Sequence, residues 1–96
     1  MSKLIFSLSA NGDSPDYQCL DGRFILQLGG DLGGGTFTVY RRIPAFGSTA
    51  ASTQAIENAA FTSVPVSREI LVDRGAVVFG TLSGSTSPAV VGLMDV

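Results

Sequence analysis

The chain has 96 residues, 45% of them hydrophobic, which is one domain's worth with enough apolar side chains for a core, so disorder is excluded as the default state. Six basic residues against eight acidic ones, net −2, exclude a basic patch wide enough to neutralise many phosphates, and nucleic acid with it. There is no His, which excludes Ser–His and Cys–His nucleophile pairs, and the single cysteine, Cys19, excludes an internal disulfide.

The elements are those of an all-β chain. Leu4, Phe6 and Leu8 alternate with Lys3, Ser7 and Ser9, interrupted by Ile5, which predicts a half-buried first strand. This segment does not read as a signal peptide: Leu8 is too large three residues before a cut at Ala10. No run reaches the ~18 apolar residues of a membrane span. Asn11 to Asp16 is dense in turn formers and ends the strand. Tyr17 to Leu20 gives a short strand before the turn Asp21-Gly22. Cys19, without a His partner, reads as a small buried hydrophobe, and one free thiol fits a reducing cytoplasm.

Phe24, Leu26 and Leu28 form one face of the next strand, followed by Gly29-Gly30-Asp31-Leu32-Gly33-Gly34-Gly35, a reversal that glycine's access to positive φ permits. Phe37, Val39 and Arg41 then alternate with Thr36, Thr38, Tyr40 and Arg42. Phe24 to Arg42 thus reads as an antiparallel hairpin, and Ala76 to Val96 repeats the pattern around Gly84 to Pro88. Pro44 to Ala60 is rich in Ala, Ser and Thr; a short helix over Ala50 to Asn58 competes with a long loop or edge strand. Strand character resumes over Phe61 to Val66 and Arg68 to Val72, with Pro65 marking an edge or a break. Val77, Val78 and Phe79, and later Val90, Val91, Leu93 and Met94, put apolar residues on both faces, so that hairpin is central or covered on both sides. The expected fold is a single domain over residues 1–96, a small antiparallel β-sandwich of about seven to eight short strands. Its expected core is Leu4, Phe6, Leu26, Leu28, Phe37, Val39, Phe79 and Leu93.

Each hint of small-molecule chemistry has a simpler account. The glycine cluster lacks the Gly-Lys-Ser/Thr and the following helix of a phosphate loop, since Gly35 leads into Thr36-Phe37-Thr38-Val39. Asn11, Asp13, Asp16 and Asp21 lack the terminal Glu of a calcium loop, because Gly22 stands there and Pro15 interrupts it. The acids cluster in turns rather than facing a cleft, and no Trp is present to stack a sugar, so the chain reads as a non-enzyme without cofactor, metal or small-molecule substrate. A lectin-like module using Tyr40 or Tyr17 is the rival. Charged residues make up only 15% of the chain, against about 25% in ordinary soluble domains. Two readings follow: a hydroxyl-rich surface, or a subunit that hides part of its surface against other subunits.

Residues 10 to 42 and 75 to 96, with the turn ANGDSP, the segment DGRFILQLGGDLGGGTFTVYRR and the terminal GTLSGSTSPAVVGLMDV, resemble small β-sandwich virion proteins of tailed bacteriophages. The chain departs from that pattern after Arg42, where Ile43-Pro44-Ala45-Phe46 and an Ala/Ser/Thr segment replace an Asp-Gly turn followed by Trp. The resemblance implies a structural component of the particle. It would be a capsid decoration or cement protein, or a head or tail accessory, made in the host cytoplasm. Its partners would be the major capsid protein or other virion proteins, and it would self-associate into a homo-oligomer, with no role for nucleic acid or membrane. The expected contact residues are Tyr40 and Arg42, on the outward face of the strand after the glycine turn, with Phe46 and Phe61 in or beside the irregular segment.

Overall fold

The computed structural model describes residues 2–19 and 22–95. Nine strands follow in order: β1 Ser2–Leu8, β2 Gly12–Asp13, β3 Tyr17–Cys19, β4 Arg23–Asp31, β5 Thr36–Ile43, β6 Ser52–Phe61, β7 Val66–Leu71, β8 Ala76–Ser83 and β9 Ala89–Asp95. They form an all-β antiparallel sandwich. One sheet has the order β1-β9-β4-β7, and the other β2-β8-β5-β6 with β3 also on β8. The count exceeds seven to eight because Gly12–Asp13, expected as part of a turn, pair with Leu82 and Thr81 as β2, while 62–65, within the strand expected over Phe61 to Val66, are the bend between β6 and β7.

The pairing corrects the sequence reading at its most prominent point. Phe24 to Arg42 is not a hairpin: β4 lies in one sheet and β5 in the other. The same is true of β8 and β9. Each segment is an arch that spans the sandwich, and the two arches pair with each other. Ile25 to Asp31 run against Asp95 to Ala89, and Thr36 to Arg41 against Ser83 to Val78. Two further arches lie outside them. The first, β1 with β2 and β3, flanks β9 and β8; the last, β6 with β7, flanks β5 and β4. Four arches thus stack in the same order in both sheets, with all their turns at one end of the molecule.

The core is the alternating inner face of both sheets. Phe6, Phe24, Leu26, Leu28, Phe37, Val39, Ile70, Val78, Leu82 and Val90 are buried. At its centre Phe6 from one sheet meets Phe37 from the other, ring centroids 5.4 Å apart. Each ring lies over a glycine of a neighbouring strand. A Cβ on Gly92 would come within 2.8 Å of the Phe6 ring, and one on Gly80 within 2.1 Å of Phe37 Cζ. The missing side chains make room for the rings, which in turn cover the bare backbone.

Leu4 is not in this core; it is 55% exposed. A bulge between Leu4 and Phe6 shifts the register against β9, so Leu4 turns outward while Ile5 packs against the core beside Phe6. Leu93 is half-buried on the outer face of its sheet. The Cys19 side chain lies outside the described residues, as do Leu20 and Asp21 and the side chains of Asn58 and Met94. Residues 52–61 settle the open segment as a strand, with no helix. This strand, β6, forms with β5 the one hairpin of sequence-adjacent strands among the described residues. The Phe46 and Thr49 backbones exchange hydrogen bonds of 2.9 and 3.0 Å around Gly47-Ser48. Gly47 has φ 61° and Ser48 is not at positive φ, the pattern of a type II′ turn.

Candidate interaction surfaces

On the outer face of the second sheet, Tyr40 and Arg42 project from β5 over Phe79 of β8. The Tyr40 and Phe79 rings stack at 5.6 Å and 15°, and the Arg42 guanidinium lies 4.4 Å from the centre of the Phe79 ring. Phe79 is therefore only 5% exposed although it points away from the core. This accounts for Val78-Phe79 within the apolar run: Val78 feeds the core, and Phe79 on the other face is covered by the Tyr40 ring and the Arg42 guanidinium.

Electrostatics fix Arg42 in this position. Its Nε donates to Asp16 Oδ2 at 2.9 Å. That hydrogen bond raises the guanidinium's pKa above its ordinary value; desolvation works against the shift, and the charges of Asp16 and then Asp13 add to it. Asp13 in turn accepts from Thr81 Oγ1 at 2.7 Å. Asp13, Tyr40, Arg42, Thr53, Phe79 and Thr81 line a shallow depression of about 360 Å³. One strand position on, Arg41 donates to Gln54 of β6 at 3.1 Å and pairs with Asp73 at 2.5 Å, tying β5 to the turn before β8.

The acidic and amide residues of the first arch all have protein partners. Asn11 pairs with the Ser85 backbone: its Nδ2 donates to the Ser85 carbonyl at 3.0 Å, and its Oδ1 accepts from the Ser85 amide at 2.9 Å. Asp13 and Asp16 are engaged as described. Among the described residues no group of three or more His, Cys, Asp or Glu side chains gathers that could hold a metal ion.

The four expected contact residues separate into three places. Tyr40 and Arg42 share one outward face, joined through Phe79. Phe46 sits at the tip of the β5–β6 hairpin and is 87% exposed. Phe61 is corrected: it is 3% exposed, opposite Phe37 on the inner face, so it belongs to the core and not to a contact surface. Arg68 covers its rim, 5.0 Å from the ring centre.

A second surface was missed in the sequence. The outer face of the first sheet exposes Leu4, Ile25, Leu71 and Val91. It also holds a groove of about 470 Å³ near the arch turns, with Gly29 flanked by Gln27, Pro65, Val66, Val91 and Leu93. Gly29 pairs with Val91, and its lack of a side chain opens the groove. The apolar alternation carried no signal for it, because a glycine in a strand reads as a turn.

No helix among the described residues is long and apolar enough to cross a membrane. Compared with protein-family models, curated proteins and solved structures, the chain finds no significant match.

Proposed function

We propose that this protein is a structural virion component of a tailed bacteriophage, a capsid decoration or cement protein that binds and stabilises the capsid lattice. The observation that carries the reading is the Tyr40–Phe79–Arg42 stack. It is a rigid aromatic and guanidinium platform on a flat sheet face, held in place by Asp16 before any partner arrives. Tyr and Arg are the residue types that anchor protein interfaces, and a preorganised platform loses little side-chain entropy on binding. Scarce surface charge and the resemblance of residues 10 to 42 and 75 to 96 to phage virion proteins support the same reading. A symmetric lattice multiplies modest contacts, so a single subunit can bind weakly and still be retained.

Mass spectrometry and copy number on purified particles test the role. Particles stripped of the protein and then rebound with folded Tyr40→Ala/Arg42→Ala protein test the face. Absence from particles removes the function; undiminished rebinding removes the platform.

The depression beside Tyr40 favours a second reading as a receptor- or carbohydrate-binding module, since it joins an aromatic edge to a carboxylate and hydroxyls. A glycan array with wild-type and Tyr40→Ala protein separates the two. Tyr40-dependent glycan binding with no particle association selects the module.

A further inference from the structure

Residues 44–55 are all exposed, and residues 43 to 56 carry no charge. They form the projecting end of the β5–β6 hairpin. β5 pairs with β8 only as far as Arg41, so beyond that point no third strand among the described residues pairs with the ribbon. An isolated two-stranded ribbon is marginal in water. This one places a phenylalanine at its tip with nearly its whole surface in solvent.

At the other end of the molecule, on the opposite sheet, lies the Gly29 groove, which no charged residue lines. Phe46 is ten residues beyond Thr36 along an extended strand, roughly 33 Å at ~3.3 Å per residue. The molecule's longest dimension is 41 Å. The tip therefore cannot reach the groove of its own chain, but the next copy can.

Edge-to-edge association is disfavoured at every edge. β1 is bulged at Ile5, and Ser14-Pro15-Asp16 interrupts β2 and β3. The register of β6 breaks between Thr38 and Tyr40 of its partner, and β7 presents Arg68 and Glu69 after Pro65. These are the devices that keep sheet edges from pairing.

We infer that the Phe46 hairpin of one copy docks in the Gly29 groove of a second copy of this chain, joining subunits head to tail. Both surfaces are uncharged, and the apolar Phe46 ring at the tip is matched by the apolar Leu28, Pro65, Val66, Val91 and Leu93 lining, as at the centres of protein interfaces. They lie at opposite ends, which makes the contact heterologous rather than two-fold, so it propagates or closes into a ring. The contact is small, so association is weak and rises with concentration. It stands independently of the virion reading.

Two substitutions test it on the whole chain. Phe46→Ser removes the knob. Gly29→Arg fills the groove without disturbing the fold, because Gly29 is not at positive φ and a Cβ there meets nothing within 4 Å. Light scattering coupled to size exclusion is run over a concentration series, with circular dichroism melts to confirm that both variants fold. Wild type is expected to exceed 9.9 kDa increasingly with concentration, and each variant alone to stay at 9.9 kDa. Mixed together, the two variants are expected to form a species of twice that mass and no larger, because Gly29→Arg keeps its hairpin and Phe46→Ser keeps its groove. Wild type at 9.9 kDa throughout overturns the inference, and would mean that the hairpin serves another protein. Variants that associate like wild type overturn it, as does a mixture that stays monomeric.

Discussion

Gly33 and Thr86 lock the two central arches together at their turns. The Thr86 amide donates to the Gly33 carbonyl at 2.9 Å, and a Cβ on Gly33 would lie 2.3 Å from the Thr86 carbonyl oxygen. Gly33 also has φ 60°, so two constraints act on one position. Gly35 carries only the steric constraint: it is not at positive φ, but a Cβ there would meet Ser83 O at 2.4 Å.

Gly33→Val is therefore expected to destabilise by well over the ~1 kcal/mol of a surface change, and Gly35→Val by a similar amount through backbone displacement alone. Chemical denaturation measures both. If each variant melts with wild type, the arches are not held by this approach.

The second prediction concerns the centre of the core. Phe37→Ala is expected to cost about 3–5 kcal/mol, a large share of the ~5–15 kcal/mol that holds a typical domain. Gly80→Ala pushes a methyl group into the same ring and is expected to cost about 1–3 kcal/mol by overpacking. In a Phe37→Leu background that second cost should shrink, because the ring it strikes is gone. Additive losses in the double-mutant cycle would show that Gly80 is required for some reason other than Phe37.

The third prediction rests on Ser14, which is buried where β2 breaks off. Its hydroxyl accepts from the Gly80 amide at 2.7 Å, and its own amide donates to the Gly80 carbonyl at 2.7 Å. The hydroxyl thus supplies the acceptor that the interrupted strand would have given. Ser14→Ala leaves a buried amide unpaired and is expected to cost about 1–3 kcal/mol in urea unfolding. A loss below a few tenths of a kcal/mol would mean that water replaces the hydroxyl.

Local signals were legible in the sequence, and partners were not. The alternation of Phe24, Leu26 and Leu28 placed those residues inward, and Pro65 marked a true break between strands. The reversal was expected over Gly29 to Gly35, but Gly29 to Asp31 continue β4 against Val91 to Ala89 and only Leu32 to Gly35 turn; the product of that turn was misread as well. A hairpin and an arch share one local pattern of apolar run, small-residue turn and apolar run; they differ only in whether the second run pairs with the first. Here β4 pairs with β9 and β5 with β8, with Thr86 bonded to Gly33 53 positions away in sequence, and no local pattern records these partners. Leu4 failed for a related reason, since a bulge is fixed by the partner strand. Of the candidate contact residues, Tyr40 and Arg42 followed from strand alternation. Phe61 was misplaced because the course of residues 44–60 was open, and with it the face on which that strand would end.

The stacked arches have a consequence for how the chain acquires its structure. Among the described residues, β1 to β5 form no strand pair with one another; every pairing they make is with β6, β7, β8 or β9. The first half of the chain therefore has no ladder to build while it leaves the ribosome. It must wait, with its apolar faces open, until the second half is synthesised. Loop closure on that scale precedes any gain from contacts, which places folding in the slow, millisecond-to-second class of β proteins. A nascent or truncated chain ending near Ile43 should be bound by chaperones or degraded rather than persist as a half-built sheet.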